Sequence, residues 1–339
     1  MELTDFDVLR HGAALVPRIG RSVVRVTGTE RAAWLQGLLT NDVESLAAGQ
    51  GCYAAWLTPQ GRMTTDVIVL AEEDAITLEV PAALGEAVYR QLGAAIFAED
   101  VLLTDEGQMW GMVGVHGPHA AGVVSRASVG SRPMADRLTA EALQGWPEFA
   151  HASLGPLGRV MRLDHYGAPG FVIRVPVEAR DLWVSRLRLA GATPVAPEVV
   201  EFARIEAGRA EFLVDMDADT IPLEAGIEDR AISFTKGCYV GQEVIVRIVH
   251  RGGGRVARKL VGLRIGTSST VAARAAVRAD RGEIGRVTSA AWSPRVRGTV
   301  ALAYVHRDFV EPGTVVTVDC EEGPASATVY ALPPNGEGS

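Results

Sequence analysis

The chain has 339 residues, of which 47% are hydrophobic and 22% charged, with a formal net charge of −8. That length allows two or three domains with cores that need no disulfide or metal support. The acidic balance argues against a general phosphate-coating protein, so no direct stable nucleic-acid binding is expected. No stretch approaches the roughly 18 uninterrupted apolar residues of a membrane span, so no membrane partner is expected either.

The opening MELTDFDVLR has early acids and no basic region followed by an apolar run, so it does not read as a secretory signal. Residues 20–28, GRSVVRVTG, alternate apolar and polar side chains and predict a strand. Thr29 is placed to cap the following helix, where Trp34, Leu35, Leu38 and Leu39 recur at helical spacing. CYAAWLT and MTTDVIVL predict two strands about a turn at Pro59-Gln60-Gly61, and ITLEVP a further strand. Residues 82–97 have an amphipathic helical pattern. Strands with interspersed helices point to α+β rather than a doubly wound sheet.

From Trp110 the pattern restarts. GMVGVHGP reads as a strand, and Pro118 opens the helix HAAGVVSRA. Residues 153–158 form a Gly/Pro-rich loop, and RVMRLDH and GFVIRVP flank a turn. Helices are expected over 180–191 and 198–208, and VIVRIVHR reads as another. After the glycines at 252–254 the chain becomes short strands and turns: KLVGLRI, AAVRAD, GEIGRVTSAAW, GTVALAYV, TVVTVD and ASATVYAL. That spacing predicts a small antiparallel barrel or sandwich. The expected division is 1–109, an N-terminal α+β domain; 110–252, a central α+β domain; 253–332, a barrel; and 333–339, a disordered tail.

Cys52, Cys238 and Cys320 are odd in number and far apart, with no zinc-site spacing, so no metal ligands are expected. A reducing, cytoplasmic setting is the simplest expectation. Cys238 lies in Lys236-Gly237-Cys238-Tyr239-Val240-Gly241-Gln242-Glu243, ahead of a helical run. A helix start and a neighbouring lysine both favour a thiolate, which makes Cys238 a candidate reactive thiol. A small buried cysteine is the alternative. Asp66 sits among apolar, β-prone neighbours, and is either a solvent-face strand residue or a carboxylate aimed into a cleft. Arg204 and Glu206 do not share a helix face. Arg204 could join a carboxylate network or lie on a solvated face. Arg247, His250, Arg251, Arg255, Arg258 and Lys259 form a basic run. It could track phosphates or a polyglutamate tail, or be a solvated linker.

The segment KGCYVGQE resembles the signature of the YgfZ family, a branch of the tetrahydrofolate-binding T-protein superfamily. WLQGLLTNDVESLAAGQGCYAAWLTPQGRMTTDVIVL resembles the N-terminal block of glycine-cleavage T-proteins, with Asn41-Asp42, Gly49, Tyr53, Gly61 and Asp66 at matching intervals. RIEAGRAEFLVDMDADTIPLEAG and GEIGRVTSAAWSPRVRGTVALAYV resemble the central and barrel segments of those proteins. The resemblance implies a three-domain fold around a central folate-binding hole, ending in an antiparallel β-barrel. It implies tetrahydrofolate or a derivative as cofactor, held by Asp66 and Tyr53 with Arg204 as a further candidate.

On the YgfZ branch it implies an accessory protein for assembly or repair of iron–sulfur enzymes, including tRNA-modifying ones. Cys238 is then the functional thiol, and iron–sulfur client proteins or assembly factors are the partners. The alternatives are a T-protein-like aminomethyltransferase or folate-dependent demethylase, and a scaffold without ligand. The chain departs from T-proteins where their glutamate after Gly-Phe falls at Val172, where an arginine falls near Val200, and in the tail YALPPNGEGS. A pterin pocket short of two polar partners follows from these departures.

Overall fold

The structure is a computed structural model. It describes residues 4–18, 20–130, 138–156, 158–266, 270–280 and 282–332. The tail expectation for 333–339 lies outside the described residues. The chain divides into two compact units. The first comprises Met1–Trp56, Thr65–Val199 and Arg230–Tyr239, and the second Leu57–Thr64, Val200–Asp229 and Val240–Ser339.

The first unit opens with α1 (Asp5–His11), β1 (Ala14–Arg18), β2 (Arg21–Thr27), α2 (Arg31–Leu38), β3 (Gly51–Leu57), β4 (Met63–Ala71) and β5 (Ile76–Pro81). It continues with α3 (Gly85–Ala94), β6 (Leu102–Asp105), β7 (Trp110–His116), α4 (Ala120–Ala127) and α5 (Ala140–Gln144). β8 (His151–Ser153), β9 (Arg159–Arg162), β10 (Gly170–Pro176), α6 (Arg180–Leu189) and β11 (Thr193–Pro194) complete it. Two sheets result, one of order β3-β4-β5-β2-β6 and one of order β11-β1-β7-β10-β9-β8.

Local chemistry explains the helix starts. At α1, Thr4 and Asp7 form a reciprocal capping box that satisfies two of the orphan amides. At α2 the expectation for Thr29 is corrected: Glu30 is the N-cap, without a side-chain cap bond. The Thr29 hydroxyl instead donates to Asp100 Oδ2 at 2.6 Å. A carboxylate acceptor gives a stronger, charge-assisted bond than a helix amide would.

Strand alternation then sorts the side chains. Val67 and Val69 of β4, Val24 and Val26 of β2, and Leu78 and Val80 of β5 join Leu35 of α2 and Leu92 of α3 in one core. Phe171, Ile173 and Val175 of β10 join Val123 of α4 and Trp183 of α6 in another. Because the period is two, Asp66 and Glu79 fall on the opposite face of the first sheet, and Val172 and Arg174 on that of the second. These charge-bearing faces meet. Arg159 pairs with Glu72 at 2.8 Å, and Arg174 approaches Glu72 at 3.5 Å and Glu79 at 3.8 Å.

The second unit holds most of the chain from α7 (Pro197–Glu206) onward, with α8 (Pro222–Ala225), α9 (Glu228–Ala231) and α10 (Gln242–Gly252). Its barrel strands are β12 (Arg258–Ile265), β13 (Ala276–Ala279), β14 (Gly282–Ser293), β15 (Gly298–His306), β16 (Val315–Cys320) and β17 (Gly323–Tyr330). They close in the order β12-β15-β14-β13-β16-β17, every neighbouring pair antiparallel. Register shifts at Val277/Arg278 and Val287/Ser289 bend the wall. Val261, Leu263, Val305 and Val318 fill the interior. Among the described residues, no helix is long and apolar enough to cross a membrane.

Candidate functional site

Asp66 lies on β4 and is 4% exposed. A bare carboxylate at that depth would be costly, so its partners matter. Arg21 Nη1 donates to Oδ1 at 2.9 Å and to Oδ2 at 3.1 Å, and the Tyr53 hydroxyl donates to Oδ2 at 3.1 Å. Arg21 Nη2 donates to the Glu79 carbonyl at 2.6 Å, a second anchor for the guanidinium. Burial, with Asp66 alongside, pushes the Tyr53 phenol well above its ordinary range, so it stays a donor. The structure therefore joins Asp66 and Tyr53, which the sequence paired by spacing. It adds Arg21, which the sequence reading missed. Arg21 precedes an apolar alternation at the start of β2, and nothing local marks its partner 45 residues on.

The wall behind Tyr53 is made by two chain segments. Asn41 Nδ2 donates to the Tyr53 carbonyl at 2.8 Å and to the Arg230 carbonyl at 2.9 Å. The Arg230 guanidinium sits 5.1 Å from the Tyr53 ring centroid and bonds Glu148 at 2.9 Å. Thr40 Oγ1 donates to the Ala231 carbonyl at 2.6 Å, and the Ser233 amide donates to the Thr40 carbonyl at 3.0 Å. The stretch leading to Cys238 is thus stitched to residues 40–41.

Lys236 completes the stitching. Its Nζ donates to the carbonyls of Gln36 at 2.7 Å, Leu39 at 2.6 Å and Asn41 at 2.9 Å. Its ammonium also lies 5.2 Å from the Tyr239 ring centroid. Burial pulls the Lys236 ammonium down to about 8, with Asp42, Cys52 and Glu44 opposing. All three Lys236 donors are spent on backbone carbonyls, none on the Cys238 sulfur. Cys238 itself is exposed, whereas Cys52 and Cys320 are half-buried. Burial pushes the Cys52 thiol up to about 12.

The rest of the motif serves backbone geometry. Lys236 to Tyr239 belong to the first unit, and the chain enters the second at Val240. Gly241 is the N-cap of α10, with φ +84°, and Gln242 and Glu243 form the first turn. A Cβ at Gly241 would meet the Thr58 carbonyl oxygen at 2.5 Å and Gly61 Cα at 3.3 Å. The two glycines read from separate blocks therefore face each other inside the second unit. Gly237 has open space where a Cβ would stand.

Arg204 is corrected as a cofactor-binding candidate. It is 1% exposed on α7, and its side chain bonds Glu201, Asp215, Ser289 and the Arg209 carbonyl. Those contacts occupy all five guanidinium donors, so it pins α7 to the barrel and has none left for a ligand. Glu206, its sequence neighbour, instead pairs with Arg295 at 2.7 Å. Val172 is buried on β10, and Val200 lies on α7. Among the described residues, no group of three or more His, Cys, Asp or Glu could hold a metal ion.

A two-sheet, helix-covered unit with a buried Asp–Arg–Tyr cluster, followed by a closed six-stranded barrel, defines a protein with the T-protein fold. The comparisons agree. Residues 4–236 match the GCVT N-terminal domain, and residues 258–334 match the glycine cleavage T-protein C-terminal barrel domain. The chain belongs to the GCVT N-terminal domain family. An aminomethyltransferase of Rubrobacter xylanophilus is 31% identical, covering 96% of this chain and 83% of its own. One from Thermosynechococcus vestitus is 28% identical, covering 94% and 83%. The crystal structure of the glycine cleavage system aminomethyltransferase T from Bartonella henselae superposes with a TM-score of 0.85 at 22% identity, covering 98% of this chain and 88% of that one.

Proposed function

We propose that the protein binds tetrahydrofolate or a derivative at Asp66 and Tyr53, and uses it in T-protein-like aminomethyl transfer. One observation carries the binding. A carboxylate offers about four lone-pair sites. Arg21 and Tyr53 occupy three of those on Asp66, and one on Oδ1 is left to accept an N–H of the folate. Arg21 and Tyr53 fix the carboxylate before the ligand arrives, which lowers the ordering cost of binding. The names of the relatives support the transfer chemistry. When bound, the folate supplies the nitrogens that accept the one-carbon unit. The chain's own residues orient it.

Titration calorimetry with tetrahydrofolate tests this. Asp66→Asn is expected to weaken binding by about 1–3 kcal/mol, the range for losing a charge-assisted bond. Equal affinity in both proteins sinks the assignment. Formation of methylene-tetrahydrofolate from an aminomethyl-lipoyl carrier tests the transfer itself.

A specific observation favours a second reading, an accessory role for iron–sulfur enzymes, including tRNA-modifying ones. Cys238 is exposed within KGCYVGQE, while Val172 stands where T-proteins have a glutamate. Under this reading the folate site is kept and Cys238 meets a client protein or assembly factor. A deletion strain complemented with Cys238→Ser separates the two: lost iron–sulfur enzyme activity and tRNA thiomethylation, with carrier-dependent transfer absent in the wild type, selects the accessory role.

A further inference from the structure

We infer that Lys236 is a positioning residue whose ammonium clamps the Cys238 segment onto the C-terminal end of α2, the same wall that backs Tyr53. An ammonium has three donors and no acceptor. Here they converge on three backbone carbonyls, of Gln36, Leu39 and Asn41, at 2.6 to 2.9 Å. The carbonyls at a helix C-terminus have no partner within the helix and carry its negative end, so a cation there is doubly favoured. The clamp spans 195 to 200 residues of sequence.

It does not act alone. Asn41, whose carbonyl takes one Lys236 donor, uses its amide group to bond the Tyr53 and Arg230 carbonyls. The Ser233 amide and the Ala231 carbonyl bind Thr40. Lys236 is therefore the far end of a ladder that begins beside the Asp66–Tyr53 pair and stops two residues before Cys238. Cys238 inherits its place from that ladder.

This placement has a consequence that separates positioning from activation. A lysine that activated a thiol by its charge would, on removal, leave the thiol slower to react. Cys238 is already exposed, so a lysine that only holds the segment would, on removal, loosen the backbone it ties down and leave the thiol rate little changed.

The test is timed iodoacetamide labelling of the full chain read by mass spectrometry, with Cys320 in the barrel as internal reference. Lys236→Met is expected to leave the Cys238 rate relative to Cys320 little changed while amide exchange at Ser233 quickens by about tenfold, the population change for releasing a charged hydrogen-bond set worth about 1.4 kcal/mol. A fall in that ratio, or exchange at Ser233 equal to the wild type, overturns the inference. If Lys236→Met does not accumulate, Lys236→Arg serves. Its planar fork keeps the charge but cannot aim three donors at convergent carbonyls, so exchange at Ser233 is expected to quicken there too. Neither measurement uses folate or a client protein, so a failure here is distinct from a failure of the proposed function.

Discussion

His151 shows how two neighbours decide the charge of one side chain. Its Nε2 lies 3.2 Å from the Gln50 carbonyl, and its Nδ1 lies 2.8 Å from Arg159 Nη1. A guanidinium can only donate, so Nδ1 must accept and the ring is neutral with its proton on Nε2. Burial, with Arg159 adding repulsion, pulls His151 down from 6.5 to about 4. The linkage follows: between those two values the unfolded chain takes up a proton that the folded protein refuses. Stability contributed by His151 is thus complete above pH 6.5 and is lost as the pH falls toward 4. The whole effect is at most about 3 kcal/mol, from 1.36 kcal/mol per pH unit. Urea unfolding across that window is expected to show a shallower pH slope in His151→Gln than in the wild type, and identical slopes refute it. Beside it, Glu72 shows the reverse balance. Burial pushes its carboxyl up, but Arg159, Thr77 and Arg174 outweigh burial and hold it below the usual range. Little of this was legible in the sequence. Asp66 and Tyr53 could be found because their spacing matched a family block. Arg21 and Arg159 could not, and Lys236 was visible only as a motif residue without its partners, because each meets those partners across sheets or across 45 to 200 residues of chain.

Gly241 ties a turn to a helix start. Its φ of +84° and the 2.5 Å approach of the Thr58 carbonyl oxygen to a built Cβ leave no room for a side chain. Gly241→Ala is expected to lower stability by about 1–3 kcal/mol, the cost of a residue held in a sparsely populated backbone region. Gly237→Ala, with nothing within 4 Å of its Cβ, is the matched control. Thermal melts that fall equally for both variants would remove the close-approach argument. At this scale the sequence served better. The alternation of β2 and β4 and the short-strand rhythm of the barrel are set by residues that bury one face, and a period-two pattern survives without tertiary knowledge. β6, β8 and β11 were missed, at 4, 3 and 2 residues. Elements that short owe their existence to the neighbour strand, not to their own pattern. α1 was also missed, although Thr4 and Asp7 spell out its capping box.

The two units are not two consecutive halves of the chain. The second takes Leu57–Thr64 from the N-terminal block, and the first takes Arg230–Tyr239 from the central one. Within the second unit the barrel is tied to earlier segments by Arg204 with Ser289, by Asp215 with Thr288, and by Glu224 with Arg258 at 3.1 Å. Gly253 and Gly254 are exposed, just past the end of α10. A protease is expected to nick the chain there, yet the fragments are expected to co-elute under native conditions, since those bonds cross the cut. A free barrel fragment on size exclusion would contradict that. Closure of the barrel has one further effect. A ring of strands has no first or last member, so it offers another copy no row of unpaired amides to extend. In the six-stranded sheet the outermost strands are 2 and 3 residues long, and one carries Pro194, which has no amide hydrogen to lend. Among the described residues the five-stranded sheet ends on β3 and β6: Thr40 and Asn41 bond along the outer side of β3 at Ala55 and Tyr53, and β6 sets Asp105 against such growth.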